Sequence, residues 1–456
     1  MSITVKNILV VFIMALIIRI SYVIFFVEAE YLFAEDQMGY ILLAQQFPVT
    51  GFLGVTPERM PGYPLFVATI YSIFGDWAWN VILIQILVDS ISCVVIALTA
   101  QSLFNKGFWI AGILSAINLN MIILSATILT DTLFLFLFVL FLFSLLQYLR
   151  NNSLVWLFLL VLFISMTTLV RVSSYYLLPI LFVWLVSWRL WQKDSIMRVS
   201  KLVALYLVVV GILLGGIHQR NYQEYGSTSL SSQTGTHILE WVVPATYQYS
   251  GQGSYQEGKD LVKEKLDLAL QNDNLEALPS NIFDGSAYQA EIAKDILIEF
   301  GFINIAKAWV VGSVVNLLAP SVAYAPEFRS MKHPSFYATK GDGVVEKLFN
   351  YMKNSSGIIY LSILFVATIL SILFIMLALL GVFKMAKNLP PITVTTLLLL
   401  VGYFIAVIGP VIGVKYRLPV EPILILFVTY FLNGIDSKDS HSLLILAKFF
   451  FVLKFV

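Results

Sequence analysis

The chain has 456 residues, 59% of them hydrophobic and 12% charged, and a mean hydropathy of +0.86. A soluble domain carries roughly 45–50% apolar residues, so most of this sequence belongs in a lipid bilayer, and a net charge of +1 gives no electrostatic basis for a nucleic-acid partner, which is not expected. Cys93 is the single cysteine, which excludes an internal disulfide and a cysteine-based metal cluster; inside an apolar run it reads as a small buried hydrophobe.

The apolar run 8–27 is too long for a signal-peptide core and lacks a small-residue cleavage site, so it reads as a first membrane anchor. Stretches near the roughly 20 residues that span a bilayer recur at 78–104, 108–125, 129–149, 154–170, 173–191, 202–218, 357–383, 391–414 and 417–434, with a shorter apolar tail at 442–456. Such segments must satisfy their own backbone hydrogen bonds as helices. The expected class is an all-α polytopic membrane protein forming a single integral membrane domain over 1–456.

Threaded alternately, these spans gather Lys6, Lys106, Arg150, Arg189, Lys193, Arg198, Lys201, Lys384, Lys387 and Lys438 on one side. The positive-inside rule makes that side, and the N-terminus, cytoplasmic in a cell membrane. The outer side receives long loops at 28–77, 219–302 and 323–356. Counting 303–322 as a crossing would put Lys384 and Lys387 outside, so 303–356 reads as an interfacial segment followed by an outer loop; a true crossing paired with another is the alternative. Within the second loop, Lys259–Leu270 and Tyr288–Phe300 alternate charged and apolar residues at helical spacing.

Arg19 and Asp89 both fall near mid-bilayer at about 1.5 Å per residue. An unpaired charge there costs at least about 2.5–3.5 kcal/mol, so the two are expected to pair, with Asn118, Asn120 and Gln85 completing their hydrogen bonds; a proton or ion pathway is the rival reading. Asp131 and Arg171 stand at outer helix ends, within reach of an outward-facing cavity. An interfacial salt bridge, or a carboxylate favoured by a helix N-terminus, also accounts for Asp131.

In the first long loop Asp36, Tyr40 and Ala44 fall at i, i+4 and i+8 and share one face of a helix. Too polar to span, that helix would lie at the membrane surface, and Arg59 with Pro61-Gly62-Tyr63-Pro64 leads into a second interfacial helix. Further along stand Thr130-Asp131-Thr132-Leu133-Phe134, Val170-Arg171-Val172-Ser173, Arg220-Asn221-Tyr222 with Ser231-Ser232 and Gly235, and Lys415-Tyr416-Arg417-Leu418-Pro419-Val420-Glu421-Pro422. In this order and on one side, these elements resemble the GT-C glycosyltransferases, in the bacterial branch related to protein O-mannosyltransferases and lipid A aminoarabinose transferases. The family's D-x-x-x-Y-x-x-x-A and P-P/G-Y-P-like elements are matched, T-E-x-L-F and R-P-S are matched with Asp for Glu at 131 and Val for Pro at 172, and the last two segments are similar to its R-N…S-S…G and R-Y-R-x-P-x-x-P elements.

The resemblance implies a GT-C fold with about 10–13 membrane helices and outward loops bearing interfacial helices. It also implies an inverting transfer of sugar from a polyprenyl-phosphate donor, undecaprenyl- or dolichyl-linked, to a glycan, lipid or protein acceptor at the outer face. Such chemistry needs a carboxylate for the acceptor's proton, for which Asp36 is the first candidate and Glu35 the second. It also needs cations for the lipid-phosphate leaving group. Lys415 and Arg417 in a phosphate-binding motif at 415–422, supported by Arg59, Arg171 and Arg220, are the candidates, since a guanidinium can bind phosphate through two hydrogen bonds. Tyr40, Tyr63, Tyr416 and Asp131 complete the expected substrate contacts, with Trp241 a further ring able to stack on sugar.

Plainer readings stay open: Asp36 as a solvated or helix-capping carboxylate, Lys415 and Arg417 as headgroup anchors, the tyrosines as an interfacial belt. The four histidines, His218, His237, His333 and His441, do not cluster, so no metal site or cofactor is expected, although Glu35 and Asp36 with a third carboxylate would suit a divalent cation. Rival functions are a lipid-linked glycan flippase or transporter, for which internal symmetry and broken helices are absent, and an O-antigen polymerase or ligase-like enzyme.

Overall fold

The computed structural model describes residues 3–33, 36–331, 339–341, 343–355 and 357–434. Glu35, His333, Lys438, His441 and the apolar tail 442–456 lie outside the described residues. Among those described there is no strand, and the chain is an integral membrane protein built of helices.

Helix α1 (Val5–Phe26) begins where the Thr4 side chain caps Asn7 N–H. The first long loop then folds into α2 (Asp36–Thr50) and α3 (Gly62–Phe74), the two helices expected there. A bundle follows: α4 (Ala78–Phe104), α5 (Phe108–Ala116), α6 (Leu119–Ser125), α7 (Asp131–Asn151), α8 (Leu154–Val170), α9 (Leu177–Trp191) and α10 (Ile196–Tyr225). Helix α7 packs along α8 and α4, and α8 along α10, through a core of leucine, isoleucine and phenylalanine that includes Phe134, Phe138 and Phe141. The second long loop carries α11 (Gln233–His237), a π-helical turn at Ile238–Val242, α12 (Val243–Ser250), α13 (Tyr255–Asn272) and α14 (Ile282–Phe300). Both charged periodic stretches are helical, and α13 starts on a capping box between Ser254 and Glu257.

Helices α15 (Phe302–Leu318), α16 (Pro326–Arg329) and α17 (Val344–Asn354) lead to α18 (Ile358–Asn388), α19 (Pro391–Ile408) and α20 (Glu421–Leu432). Helix α15 turns 102° from α14. Lys307 Nζ donates to Ser250 O at 2.7 Å, Trp309 Nε1 to Ala406 O at 3.1 Å and Asn316 Nδ2 to Val411 O at 2.8 Å, so α15 is laced to the ends of α12 and α19. Gly312 permits that approach, since a Cβ there would stand 2.6 Å from Pro410 Cα.

Seven helices are long and apolar enough to cross a membrane among the described residues, or nine if each bent pair counts as one span, fewer than the expected 10–13. The shortfall has local causes. Helix α8 has 17 residues and α20 only 12 described ones, because the chain from Val414 to Val420 winds as a 3-10 turn before α20 begins. The stretch 108–125 is not one rod: α5 and α6 meet at 52°, where Asn118 Oδ1 caps Met121 N–H. Broken helices, expected to be absent, therefore do occur, because a capping polar residue such as Asn118 or a glycine such as Gly301 starts a new segment where the previous one ends.

Arg19 and Asp89 pair as expected, Nε to Oδ2 at 2.5 Å, both fully buried. Their other partners differ from expectation. Arg19 donates to Ala15 O, Ser115 O, Ala116 O and Cys93 Sγ, whereas Gln85 serves Tyr63, and Asn118 and Asn120 serve the 414–421 segment. The carbonyls of Ser115 and Ala116, at the break between α5 and α6, take the place expected for those amides.

Candidate functional site

The first long loop and two helix ends converge on one face of the bundle. Gly62 lets the start of α3 press on the end of α8, where a Cβ would meet Leu169 O at 2.7 Å. Gln37 ties α2 to the segment before α7, its Oε1 accepting from Ile128 N–H at 2.7 Å while its Nε2 donates to Tyr31 O at 2.5 Å. These contacts bring Asp36 and Tyr40 on α2 towards Asp131 at the start of α7 and Arg171 at the end of α8.

Two acid–arginine pairs result. Asp36 Oδ1 accepts from Arg59 Nη2 at 2.8 Å, with the side chains 50% and 33% exposed. Asp36 Oδ2 has no protein hydrogen bond among the described residues. Asp131 Oδ1 accepts from Arg171 Nη1 at 2.7 Å, with Asp131 buried and Arg171 21% exposed. Between the pairs stands Tyr40, with the Arg59 guanidinium 5.2 Å from its ring centroid and Arg59 Nη1 3.4 Å from its hydroxyl.

The electrostatics tie these groups together. Burial pushes the Tyr40 hydroxyl above its ordinary range; the positive charges of Arg59 and Arg171 oppose that rise, and the nearby Asp36 and Asp131 add to it. Tyr416 is likewise raised by burial, opposed by Arg171 and reinforced by Asp131 and Asp36. Asp36, Tyr40, Arg59, Asp131, Arg171 and Tyr416 therefore share one electrostatic neighbourhood, drawn from five separate chain segments. Lys415 borders it, its Nζ 5.8 Å from the Tyr416 ring centroid, and makes no ion pair among the described residues.

Other candidates are engaged elsewhere. Tyr63 is buried, its hydroxyl given to Gln85 Oε1 at 2.6 Å and its ring edge-on to Tyr40 at 5.0 Å, so it backs Tyr40. Arg220 donates to Asn221 Oδ1, to Leu53 O and to Val55 O, clasping the first long loop to the end of α10. Arg417 is held through all three nitrogens: Nε donates to Glu421 Oε1 at 2.7 Å, Nη1 is shared among Leu317 O at 2.8 Å, Ser371 Oγ at 2.9 Å and Ala319 O at 3.0 Å, and Nη2 donates to Ser321 Oγ at 3.0 Å. Trp241 meets Lys259 within the second long loop. No group of three or more His, Cys, Asp or Glu side chains able to hold a metal ion occurs among the described residues.

Sequence reasoning missed Gln37, assigned Gln85 and Asn118 to the Arg19–Asp89 pair, and quoted Glu421 in the 415–422 motif without giving it a role. Glu421 is fully buried and shares its oxygens between Arg417 Nε and Asn118 Nδ2, the latter at 3.0 Å; Asn120 Nδ2 reaches Val414 O at 3.2 Å. The signal available was their polarity inside or beside apolar runs, which requires a partner whenever such a group is buried.

Residues 57–213 match the family described as dolichyl-phosphate-mannose-protein mannosyltransferase, an interval holding Arg59, Tyr63, Asp131 and Arg171. Among solved structures, the archaeal oligosaccharyltransferase AglB from Archaeoglobus fulgidus, in complex with an inhibitory peptide and a dolichol-phosphate, aligns with a TM-score of 0.51 at 12% identity. That alignment covers 94% of this chain, which spans 50% of AglB. The chain has the GT-C fold. This GT-C chain also aligns with ArnT from Cupriavidus metallidurans, in the apo state at a TM-score of 0.37 and 12% identity, and bound to undecaprenyl phosphate at 0.36 and 14%. The two alignments cover 93% and 94% of this chain and 76% of ArnT. No curated protein matches the sequence. The GT-C resemblance carried by the motifs, including its mannosyltransferase branch, thus agrees with the fold and with residues 57–213.

Proposed function

We propose that the chain is an inverting glycosyltransferase that moves a sugar from a polyprenyl-phosphate donor to an acceptor hydroxyl on the outer face of the membrane. The observation that carries this reading is the Asp36 carboxylate, held by Arg59 through one oxygen, with the other bare of protein hydrogen bonds, in the same neighbourhood as Arg171 and Tyr416.

In this reading the acceptor oxygen attacks the anomeric carbon from the side opposite the phosphate. The bond from that carbon to the phosphate oxygen breaks, the lipid phosphate departs with the electron pair, and Asp36 takes the hydroxyl proton. Arg59 orients the carboxylate. Arg171 and Lys415 are the cations proposed to meet charge developing on the leaving phosphate, and Tyr40 and Tyr416 offer rings and hydroxyls to the sugar. Arg417 and Arg220, whose partners are backbone and side chains of the protein, take a positioning role: Arg417 holds the turn that presents Lys415 and Tyr416, and Arg220 the loop that presents Arg59. The dolichol-phosphate in the AglB complex supports a lipid-phosphate carrier for this fold, and the basic residues on the short-loop side support an outward-facing site.

The test uses purified protein with undecaprenyl-phosphate mannose, or its glucose analogue, radiolabelled in the sugar, with and without extracted cell-envelope material as acceptor. Release of undecaprenyl phosphate that requires acceptor supports the reading. Lipid movement without bond cleavage, or incorporation only of whole oligosaccharide units, overturns it in favour of a flippase or a polymerase.

A further inference from the structure

Helix α17 turns its apolar side away from the protein. Val345, Leu348, Phe349 and Met352 fall within about 100° of arc on a helical wheel, and they are 83%, 43%, 67% and 54% exposed. The opposite side faces the bundle. Lys347 and Tyr351 are 1% and 5% exposed, the Tyr351 hydroxyl meets that of Tyr360, Lys347 Nζ stands 5.9 Å from the Tyr249 ring centroid, and Asn350 Nδ2 donates to Lys340 O at 2.9 Å. A helix on the water-facing surface of a globular protein buries its apolar stripe; α17 exposes its stripe, flanked by the exposed Glu346 and Lys353, and buries Lys347 and Tyr351.

Continuity says what covers the apolar stripe. Helix α18, the longest and most apolar of the spans, starts at Ile358, just past the end of α17 at Asn354. Its first turn leaves Ile358 and Ile359 79% and 68% exposed, as befits a lipid-facing surface. Tyr360, in the same turn, stacks on Phe328 at 4.3 Å and meets Tyr351, so α17 is fixed to the mouth of that span. A strip of exposed aliphatic and aromatic side chains therefore runs from α17 onto a membrane-spanning helix.

We propose that α17 lies in the headgroup–acyl boundary of the leaflet entered by the start of α18, with Val345, Leu348, Phe349 and Met352 immersed in lipid. The partner is the bilayer itself, which accepts an amphipathic helix with its axis in the membrane plane. This pins the loop between α15 and α18 to the membrane at its far end, next to the strand of chain that supplies Ser321 to Arg417.

The proposal is testable on the whole protein because Cys93 is fully buried and leaves an introduced cysteine as the reactive thiol. Val345→Cys, Phe349→Cys and, as the water-facing control, Lys353→Cys are labelled with an environment-sensitive fluorophore and reconstituted into phosphatidylcholine–phosphatidylglycerol nanodiscs. Nitroxide on the lipid acyl chain should quench the labels at 345 and 349 at least about twofold more than that at 353, and aqueous iodide should show the opposite order. Equal iodide access at the three sites overturns the proposal. So does shielding at 345 and 349 that vanishes when discs hold a single copy, which would assign the stripe to a second copy of the chain.

Discussion

Asp36→Asn separates chemistry from folding. Asparagine keeps an oxygen for Arg59 but cannot take the acceptor's proton, and general-base assistance contributes about 10²–10⁴-fold in rate, or roughly 2.7–5.5 kcal/mol of barrier. The structural cost is far smaller. The Asp36 and Arg59 side chains are 50% and 33% exposed, and an exposed pair contributes only about 0–1 kcal/mol to stability. The variant should therefore release undecaprenyl phosphate at least about 100-fold more slowly while eluting as a single species and unfolding in detergent close to wild type. The assay is the initial rate of carrier release at saturating donor, paired with a thermal unfolding scan of the same sample. Activity within about threefold of wild type, a difference of roughly 0.6 kcal/mol, would refute the assignment of the base. A large fall in unfolding temperature would refute the argument that the pair is peripheral to the fold.

Arg171→Ala strands the buried Asp131 carboxylate and should cost about 3–5 kcal/mol of stability, towards the lower end because Arg171 reaches solvent; a thermal scan reads it, and no change would mean that Asp131 is solvated. Arg19→Met should destabilise by a similar amount, about 3–5 kcal/mol, whereas Arg19→Met combined with Asp89→Leu should recover most of it, since a buried ion pair replaced by apolar residues is close to neutral. Burial raises the Tyr40 hydroxyl, so it stays protonated even above the pH at which a free tyrosine ionises, and its charge-free form is present throughout neutral pH. Tyr40→Phe should thus lower the rate without moving either limb of the pH–rate profile, and a shifted limb would sink that reading. Lys415→Met should raise KM for the lipid-phosphate donor by about tenfold, equal to roughly 1.4 kcal/mol, with unfolding unchanged.

Much of this architecture is legible in the primary structure because lipid imposes a local rule. A segment of about 20 apolar residues has to become a helix wherever it lands, so the spans, the helices around Asp36 and Pro61, and the periodic helices of the second long loop could be placed from pattern alone. The pairing of Arg19 with Asp89 followed from depth in the bilayer and the cost of a lone charge. Outside that pair, composition and spacing could not choose partners across the chain. Arg59 and Arg171 each hold an acid in one shared neighbourhood because Gly62 and Gln37 dock the first long loop onto the end of α8 and the segment before α7. Arg220 and Arg417, equally suitable on paper, spend their donors on carbonyls and side chains freed by turns at 53–55, 317–321 and 421. A guanidinium takes whichever acceptors the fold leaves within about 3 Å, and those acceptors are set by long-range packing that no local sequence window contains.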